Sequence, residues 1–225
     1  MNTKAALAAA RLYTIFDTGY VPSESLEKIL SDLLSGGADI IQIRAKNLPK
    51  RDVLQLGKRA RSLLRGYSTL LIINDYADVA QESGADGVHL GQEDGDLLQI
   101  RSTFPTLLIG RSTHSLQQAK AAEQEGADYI GFGPLFPTPT KAGRPAIGLG
   151  DLAELHRTVQ IPVFAIGGIK YHNLPQVLAA GARRVVLVSG ILQAANIVKE
   201  CQRIKALLQA ESFDDIRKAA QDSLC

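Results

Sequence analysis

The 225-residue chain is poor in everything that holds a protein together or addresses it by chemistry other than an apolar core. It has two cysteines, Cys201 and Cys225, and neither sits in a metal-ligand spacing. A disulfide framework and a zinc site are therefore not expected, which fits a reducing, cytoplasmic setting. The formal net charge is only +2, with no concentrated basic patch, so a nucleic-acid partner is not expected. No window approaches the roughly 18 uninterrupted apolar residues that a membrane span requires. The N-terminal MNTKAALAAARLYTIF has a short, alanine-rich apolar run, with a first strand starting at once at Arg11. It does not read as a signal peptide. Hydrophobic residues, in contrast, make up 45%, enough for a full core without a metal or disulfide.

A repeat organises the chain. Gly37-Ala38-Asp39, Gly84-Ala85-Asp86, Gly126-Ala127-Asp128 and Gly181-Ala182-Arg183 each precede an apolar run: IIQIR, GVHLG, YIGFG and RVVLVSG. Glycine can end a helix in the left-handed conformation, and a buried strand then follows. RLYTIFD (11–17), TLLIIND (69–75), TLLIGRS (106–112) and IPVFAIGG (161–168) supply four more strands, for eight in all. The segments between them, such as SESLEKILSDLLSGG and PKRDVLQLGKRARSLLRGY, read as helices. Alternating helices with short, β-branched, continuously apolar strands predict parallel strands covered on both faces. Eight such units in about 200 residues predict a single-domain α/β fold, a TIM (β/α)8 barrel over about 11–210. A helix from about Asn196 to Gln209 and a short helical tail over 211–225 complete the reading.

In such barrels chemistry lies at the C-terminal strand ends. Those ends carry Gln42-Ile43-Arg44-Ala45-Lys46, Asn74-Asp75, His89-Leu90-Gly91-Gln92-Glu93-Asp94, Gly110-Arg111-Ser112-Thr113-His114, Thr138-Pro139-Thr140-Lys141, Gly167-Gly168 and Val188-Ser189-Gly190. Arg44, Lys46 and Lys141 suit a polyphosphate. Asp75 and Asp94, two carboxylates at neighbouring strand ends, suit Mg²⁺ shared with substrate phosphates. The two glycine-bearing ends after strands 7 and 8 suit a second phosphate. Each has a plainer reading alone. Gly-Gly can be a tight turn, Asp94 a helix cap, and Arg44 and Lys46 a solvated rim. His89 reads as a satisfied core histidine, and His156 and His172 as surface. It is the coincidence at one end of the barrel that points to a site.

As a set, QIRAK (42–46), ND (74–75), GVHLGQED (87–94), GRSTH (110–114), GPLFPTPTK (133–141), IGGI (166–169) and VSGI (188–191) resemble the thiamine phosphate synthase family over about residues 11–195. The resemblance implies that the diphosphate of 4-amino-5-hydroxymethyl-2-methylpyrimidine is joined to a thiazole monophosphate, giving thiamine monophosphate and pyrophosphate. It implies that Gln42, Ile43, Arg44, Ala45, Lys46, Asn74, Ser112 and Lys141 bind the pyrimidine diphosphate. Thr138, Pro139, Thr140, Gly168, Val188 and Ser189 would bind the thiazole phosphate, the last two through backbone, and Asp75 and Asp94 would hold Mg²⁺. Arg44, Lys46, Ser112 and Lys141 would be catalytic, in a dissociative reaction that needs no protein nucleophile or strong base. Phe16 stands where the pattern leads one to expect threonine before Asp17, and the loop AGRPAIGL after Lys141 reads as a lid.

Three rival readings share the fold. A thiazole tautomerase would need a histidine after strand 6, where this chain has Gly133-Pro134, and would have no use for Asp75 and Asp94. A sensor of phosphorylated metabolites would be expected to lose the carboxylates or the cations, and this chain keeps both. A Schiff-base lyase would rely on Lys46, for which the sequence offers no partner. Whether the chain forms a homo-oligomer stays open at this stage.

Overall fold

A computed structural model describes residues 2–138 and 145–210. The expected helical tail, the first three residues (142–144) of the expected lid, and Pro139, Thr140 and Lys141 lie outside the described residues. Eight parallel strands close into a barrel in sequence order: β1 (Leu12–Asp17), β2 (Ile40–Arg44), β3 (Leu70–Asn74), β4 (Gly87–Leu90), β5 (Leu108–Thr113), β6 (Tyr129–Phe132), β7 (Val163–Ile166) and β8 (Val185–Leu187). β8 returns to pair with β1, Leu12 opposite Val185. Helices α2 (Leu26–Ser35), α3 (Lys50–Leu63), α4 (Ala77–Ser83), α5 (Leu97–Thr103), α6 (Leu116–Gln124), α7 (Leu152–Thr158), α8 (Leu174–Ala179), α9 (Ser189–Leu192) and α10 (Ile197–Gln209) follow the strands or precede them.

Strand side chains alternate between two faces, and the alternation builds two separate cores. The outward set, including Leu12, Phe16, Ile41, Ile43, Leu71, Ile73, Ile109 and Phe132, packs under helical residues such as Leu30, Leu33, Leu56 and Ile204. The inward set, Tyr13, Ile15, Ile40, Leu70, Ile72, Leu108, Tyr129, Phe164 and Val186, fills the barrel. Three of these rings meet in it. Phe164 stands edge-on to Tyr13 and Tyr129, with centroids 5.4 and 5.7 Å away. Glycine makes room for this filling. A Cβ on Gly110 would lie 2.1 Å from the Tyr129 ring, and one on Gly87 would lie 2.4 Å from the Leu108 carbonyl oxygen.

The first strand does not begin the fold. Helix α1 (Thr3–Ala9) precedes it, capped by the Asn2 side chain on the Lys4 and Ala5 amides. Its one buried side chain, Leu7, joins the inward core beside the first residues of β2, β3 and β5. The alanine-rich start is thus a plug for the N-terminal mouth of the barrel, a role invisible until the mouth exists.

The repeat has a fuller meaning than a helix stop. Gly37, Gly84, Gly126 and Gly181 all adopt left-handed backbone, with φ from +71° to +110°. The alanines after them are buried. The three aspartates then bind backbone of the preceding odd-numbered strand: Asp39 accepts from Arg11 and Leu12, Asp86 from Leu71, and Asp128 from Ile109. Each also meets a cation from a helix, Lys205, Arg61 and Arg101 respectively. Each copy therefore stops a helix and fills a gap, and the three that carry aspartate also tie two strands at the N-terminal end of the barrel.

Because Gly110 is enclosed by Tyr129, Gly110→Ala is expected to cost about 1–3 kcal/mol through overpacking. Urea unfolding checks this. An unchanged midpoint would mean that the ring is not wedged against this strand.

Candidate active site

The inward positions change character along the barrel. Below are Tyr13, Tyr129 and Phe164; above them, at the C-terminal ends, come Gln42, Arg44, Asn74, His89 and Ser112, all lining one pocket. The same pocket is lined by Lys46, Asp75, Asp94, His114, Thr138, Gly168, Val188 and Ser189. So nearly every described residue expected at the site converges there. Ile43 and Ala45 do not. Their side chains are buried in the outer core, because the period of two that turns Gln42 and Arg44 inward turns them out. Only their backbone is left to serve a ligand.

Arg44 is held from the neighbouring strand. Asp17 lies opposite it in the β1–β2 register, and the Arg44 guanidinium donates to the Asp17 carboxylate at 2.6 Å. Asp17 is 1% exposed and also accepts the Gly19 amide. This anchor was not among the expected site residues, although its place at the end of the first strand was a signal. Lys46 lies 3.1 Å from Asp75. The lysine that lacked a partner in the sequence therefore has one, and it is a salt bridge at the rim rather than an acid–base pair in the floor.

Asp75 and Asp94 come close enough to perturb one another. Burial is the main force lifting the Asp75 carboxyl above its ordinary range. The Lys46 ammonium opposes the rise, and Asp94 adds to it. Burial also lifts Asp94, but the Gly91 amide, the Asp75 carboxyl and the charges of Lys46 and Arg111 outweigh it, leaving Asp94 below its ordinary range. Two carboxylates crowded at a rim are a donor set for a hard cation. Asp75 holds its place with φ +66°, a left-handed conformation that aspartate tolerates better than most residues. Its amide binds the His89 carbonyl.

The loop carrying Asp94 is fixed independently. The buried Arg111 donates to the Gly95 and Gln92 carbonyls, Gln92 donates to the Ser112 carbonyl at 2.6 Å, and Asp94 accepts from the Gly91 amide. The helix cap that Asp94 could have been is Asp96, which accepts from Gln99. His89 is not a plain core residue. It is half-buried, faces the pocket, and has its ring nitrogens 3.3 Å from the Tyr129 hydroxyl and 3.0 Å from the Ser112 hydroxyl. His114 Nδ1 meets the Gly133 carbonyl. His172 is exposed as expected. His156 is half-buried with Nε2 enclosed, so the surface reading fails for it, and burial is the main reason its pKa falls.

On the far side, Gly168 packs where a Cβ would meet Phe136 at 2.7 Å and the Pro137 carbonyl at 2.8 Å. Asn173 ties the same turn through the Gly168 carbonyl.

Asp17→Asn removes the charge that faces Arg44 while keeping the shape. The expected cost is about 3 kcal/mol in urea unfolding, because a buried ion pair loses one partner. A midpoint equal to the parent's would show that Arg44 needs no anchor.

The site can be set beside known proteins. The family described as thiamine monophosphate synthase matches residues 12–191. A thiamine-phosphate synthase of Gloeobacter violaceus is 43% identical over 196 residues; the match covers 87% of this chain and 56% of that longer relative. One of Halalkalibacterium halodurans is 40% identical over 201 residues, covering 88% of this chain and 95% of the relative. The solved thiamine phosphate pyrophosphorylase of Pyrococcus furiosus superposes with a TM-score of 0.78 at 36% identity, over the whole of both chains. The two sequence relatives carry the synthase name and the solved one the pyrophosphorylase name, and none of the three that of a tautomerase or a sensor. On the strength of the match from the first strand to the short helix after the last, the chain belongs to the thiamine monophosphate synthase family.

Proposed function

We infer that the pocket joins 4-amino-5-hydroxymethyl-2-methylpyrimidine diphosphate to a thiazole monophosphate, releasing pyrophosphate, so that the chain is a transferase of a pyrimidinylmethyl group. The observation that carries this reading is the rim itself. Arg44 and Lys46 stand beside the crowded carboxylates Asp75 and Asp94 at the mouth of one pocket.

Cations and carboxylates side by side suit a diphosphate that brings a divalent ion with it. Asp75 and Asp94 would hold Mg²⁺. The oxygen-only donor pair fits that ion, and so does the raised pKa of Asp75, which a cation would relieve. When bound, the ion supplies positive charge to the departing pyrophosphate.

The chain's own groups do the rest. Arg44 presents a fork suited to phosphate oxygens, and Asp17 keeps that fork in place. Lys46 adds a point charge. Lys141, outside the described residues, is the third cation of the expected set. As the C–O bond breaks, negative charge gathers on the leaving group, and these cations stabilise it more in the transition state than in the ground state. Gln42, Asn74 and Ser112 line the inner pocket and are placed to orient the pyrimidine. Thr138, Gly168, Val188 and Ser189 line the same pocket and are placed for the thiazole phosphate. Pyrophosphate leaves first in this reading, and the thiazole nitrogen traps the pyrimidine methyl cation. Holding both partners in one enclosed place supplies much of the rate. No nucleophile is required in this reading, which fits a partly exposed rim of charges.

A cytoplasmic enzyme is the setting proposed. Cys201 is a buried free thiol, and among the described residues no helix is long and apolar enough to cross a membrane.

Purified protein incubated with both substrates and Mg²⁺ is expected to release pyrophosphate and form thiamine monophosphate, with neither product when any one component is omitted. No turnover with the complete mixture would sink the reading. Asp75→Ala is expected to lower turnover at least about 100-fold at modest Mg²⁺ and to recover in part at high Mg²⁺, since one carboxylate remains. Full activity of this variant would remove Asp75 from the metal site.

A further inference from the structure

Five side chains from five strands are joined end to end across the floor of the pocket. Gln42 Nε2 donates to the Tyr13 hydroxyl at 2.6 Å. The Tyr13 and Tyr129 hydroxyls are 3.1 Å apart. Tyr129 is 3.3 Å from His89 Nδ1, and His89 Nε2 is 3.0 Å from the Ser112 hydroxyl. Two ends of this chain, Gln42 and Ser112, belong to the expected pyrimidine site; the three middle members do not.

The chain has a direction. An amide nitrogen only donates, so the Tyr13 oxygen accepts. With that bond fixed, the ordering in which each buried hydroxyl proton has a partner within the chain runs from Tyr13 to Tyr129 and from Tyr129 to His89 Nδ1. That leaves the histidine proton on Nε2, directed at Ser112. Burial pushes both phenol pKa values upward, so neither tyrosine loses its proton. Neither ring can swing away, because Phe164 stands edge-on to both. Gln42 itself is 2% exposed, so its amide has no solvent to turn toward.

We infer that Tyr13, Tyr129 and His89 are positioning residues. Their chain holds the Gln42 amide with its nitrogen committed to Tyr13 and its carbonyl oxygen presented to the pocket. The site therefore selects a heterocycle carrying an N–H donor at that point, an amino-substituted ring, over one carrying a carbonyl. This rests on the synthase reading for the identity of the ring, and it adds the device that discriminates. A reversed chain would present the amide nitrogen and select the opposite ligand, so the prediction has a sign.

The test uses two unreactive probes, the monophosphate esters of the 4-amino and the 4-oxo pyrimidine, with affinities measured by titration calorimetry on the whole protein. The parent is expected to bind the amino ester at least about tenfold more tightly, the size of one mismatched hydrogen bond. Tyr13→Phe frees the amide to turn round. It is expected to lower that ratio about tenfold while leaving the affinity for thiazole phosphate and the urea midpoint near those of the parent. Tyr129→Phe cuts the chain one step further away and is expected to move the ratio the same way by less. A Tyr13→Phe protein that folds and keeps the parental ratio would overturn the inference. So would a parent that binds the oxo ester as tightly as the amino ester, or binds neither, and that measurement needs no variant to fold. Pyrophosphate release is assayed separately. A parent that discriminates between the esters but shows no turnover would keep the positioning chain and discard the synthase reading.

Discussion

A closed barrel of eight strands has an interior that must be filled, and the way this one is filled governs everything above it. Tyr13, Tyr129 and Phe164 occupy the lower interior as a cluster of three large rings, and Leu7 of the N-terminal helix closes the mouth beneath them. Glycine at 110 yields the volume that the Tyr129 ring takes, and glycine at 87 lets Leu108 and Ile72 pack close. Because the floor is solid, a ligand can enter only from the C-terminal rim. Because two of the three rings carry hydroxyls, the floor is also polar on its upper side, where Gln42 and His89 meet it.

The rim shows a second economy. Its cations are not loose. Arg44 is tied to the buried Asp17 and Lys46 to Asp75, each partner coming from an adjacent strand end. Such pairs add little net stability once desolvation is counted, so their value lies in placement. A guanidinium already oriented loses less entropy on meeting a phosphate. The three rim carboxylates differ in role accordingly. Asp17 is enclosed and serves Arg44, whereas Asp75 and Asp94 face the pocket and each other, a crowded arrangement that a divalent ion would relieve.

Much of this was legible beforehand because a parallel barrel writes its period into the chain. The recurring Gly-Ala-Asp, the continuous apolar strands and the polar residues clustered after each strand were enough to count eight strands and to place the site at their ends. The residues that escaped notice share one property, which is that their partners are distant in sequence. Asp17 matters because Arg44 lies opposite it, 27 positions on. Tyr129 looks like an ordinary strand aromatic until His89 and Tyr13 arrive beside it. Ile43 and Ala45 fall inside a matching motif, yet the alternation of the strand turns their side chains away from the pocket.

By itself, then, the sequence determined the strand and helix alternation, the closed barrel, the end of it where the polar strand-end residues gather and the charge types found there. Those follow from local rules: side-chain period, glycine at helix ends, charged residues after apolar strands. Only the tertiary structure decided which cation pairs with which carboxylate, that the repeat aspartates tie neighbouring strands, that the first helix is a plug, and that five side chains form one hydrogen-bonded chain across the floor of the pocket. Each of these depends on strand register and barrel closure, which bring together residues from different strands, and contacts of that kind leave no mark in the local pattern of either segment.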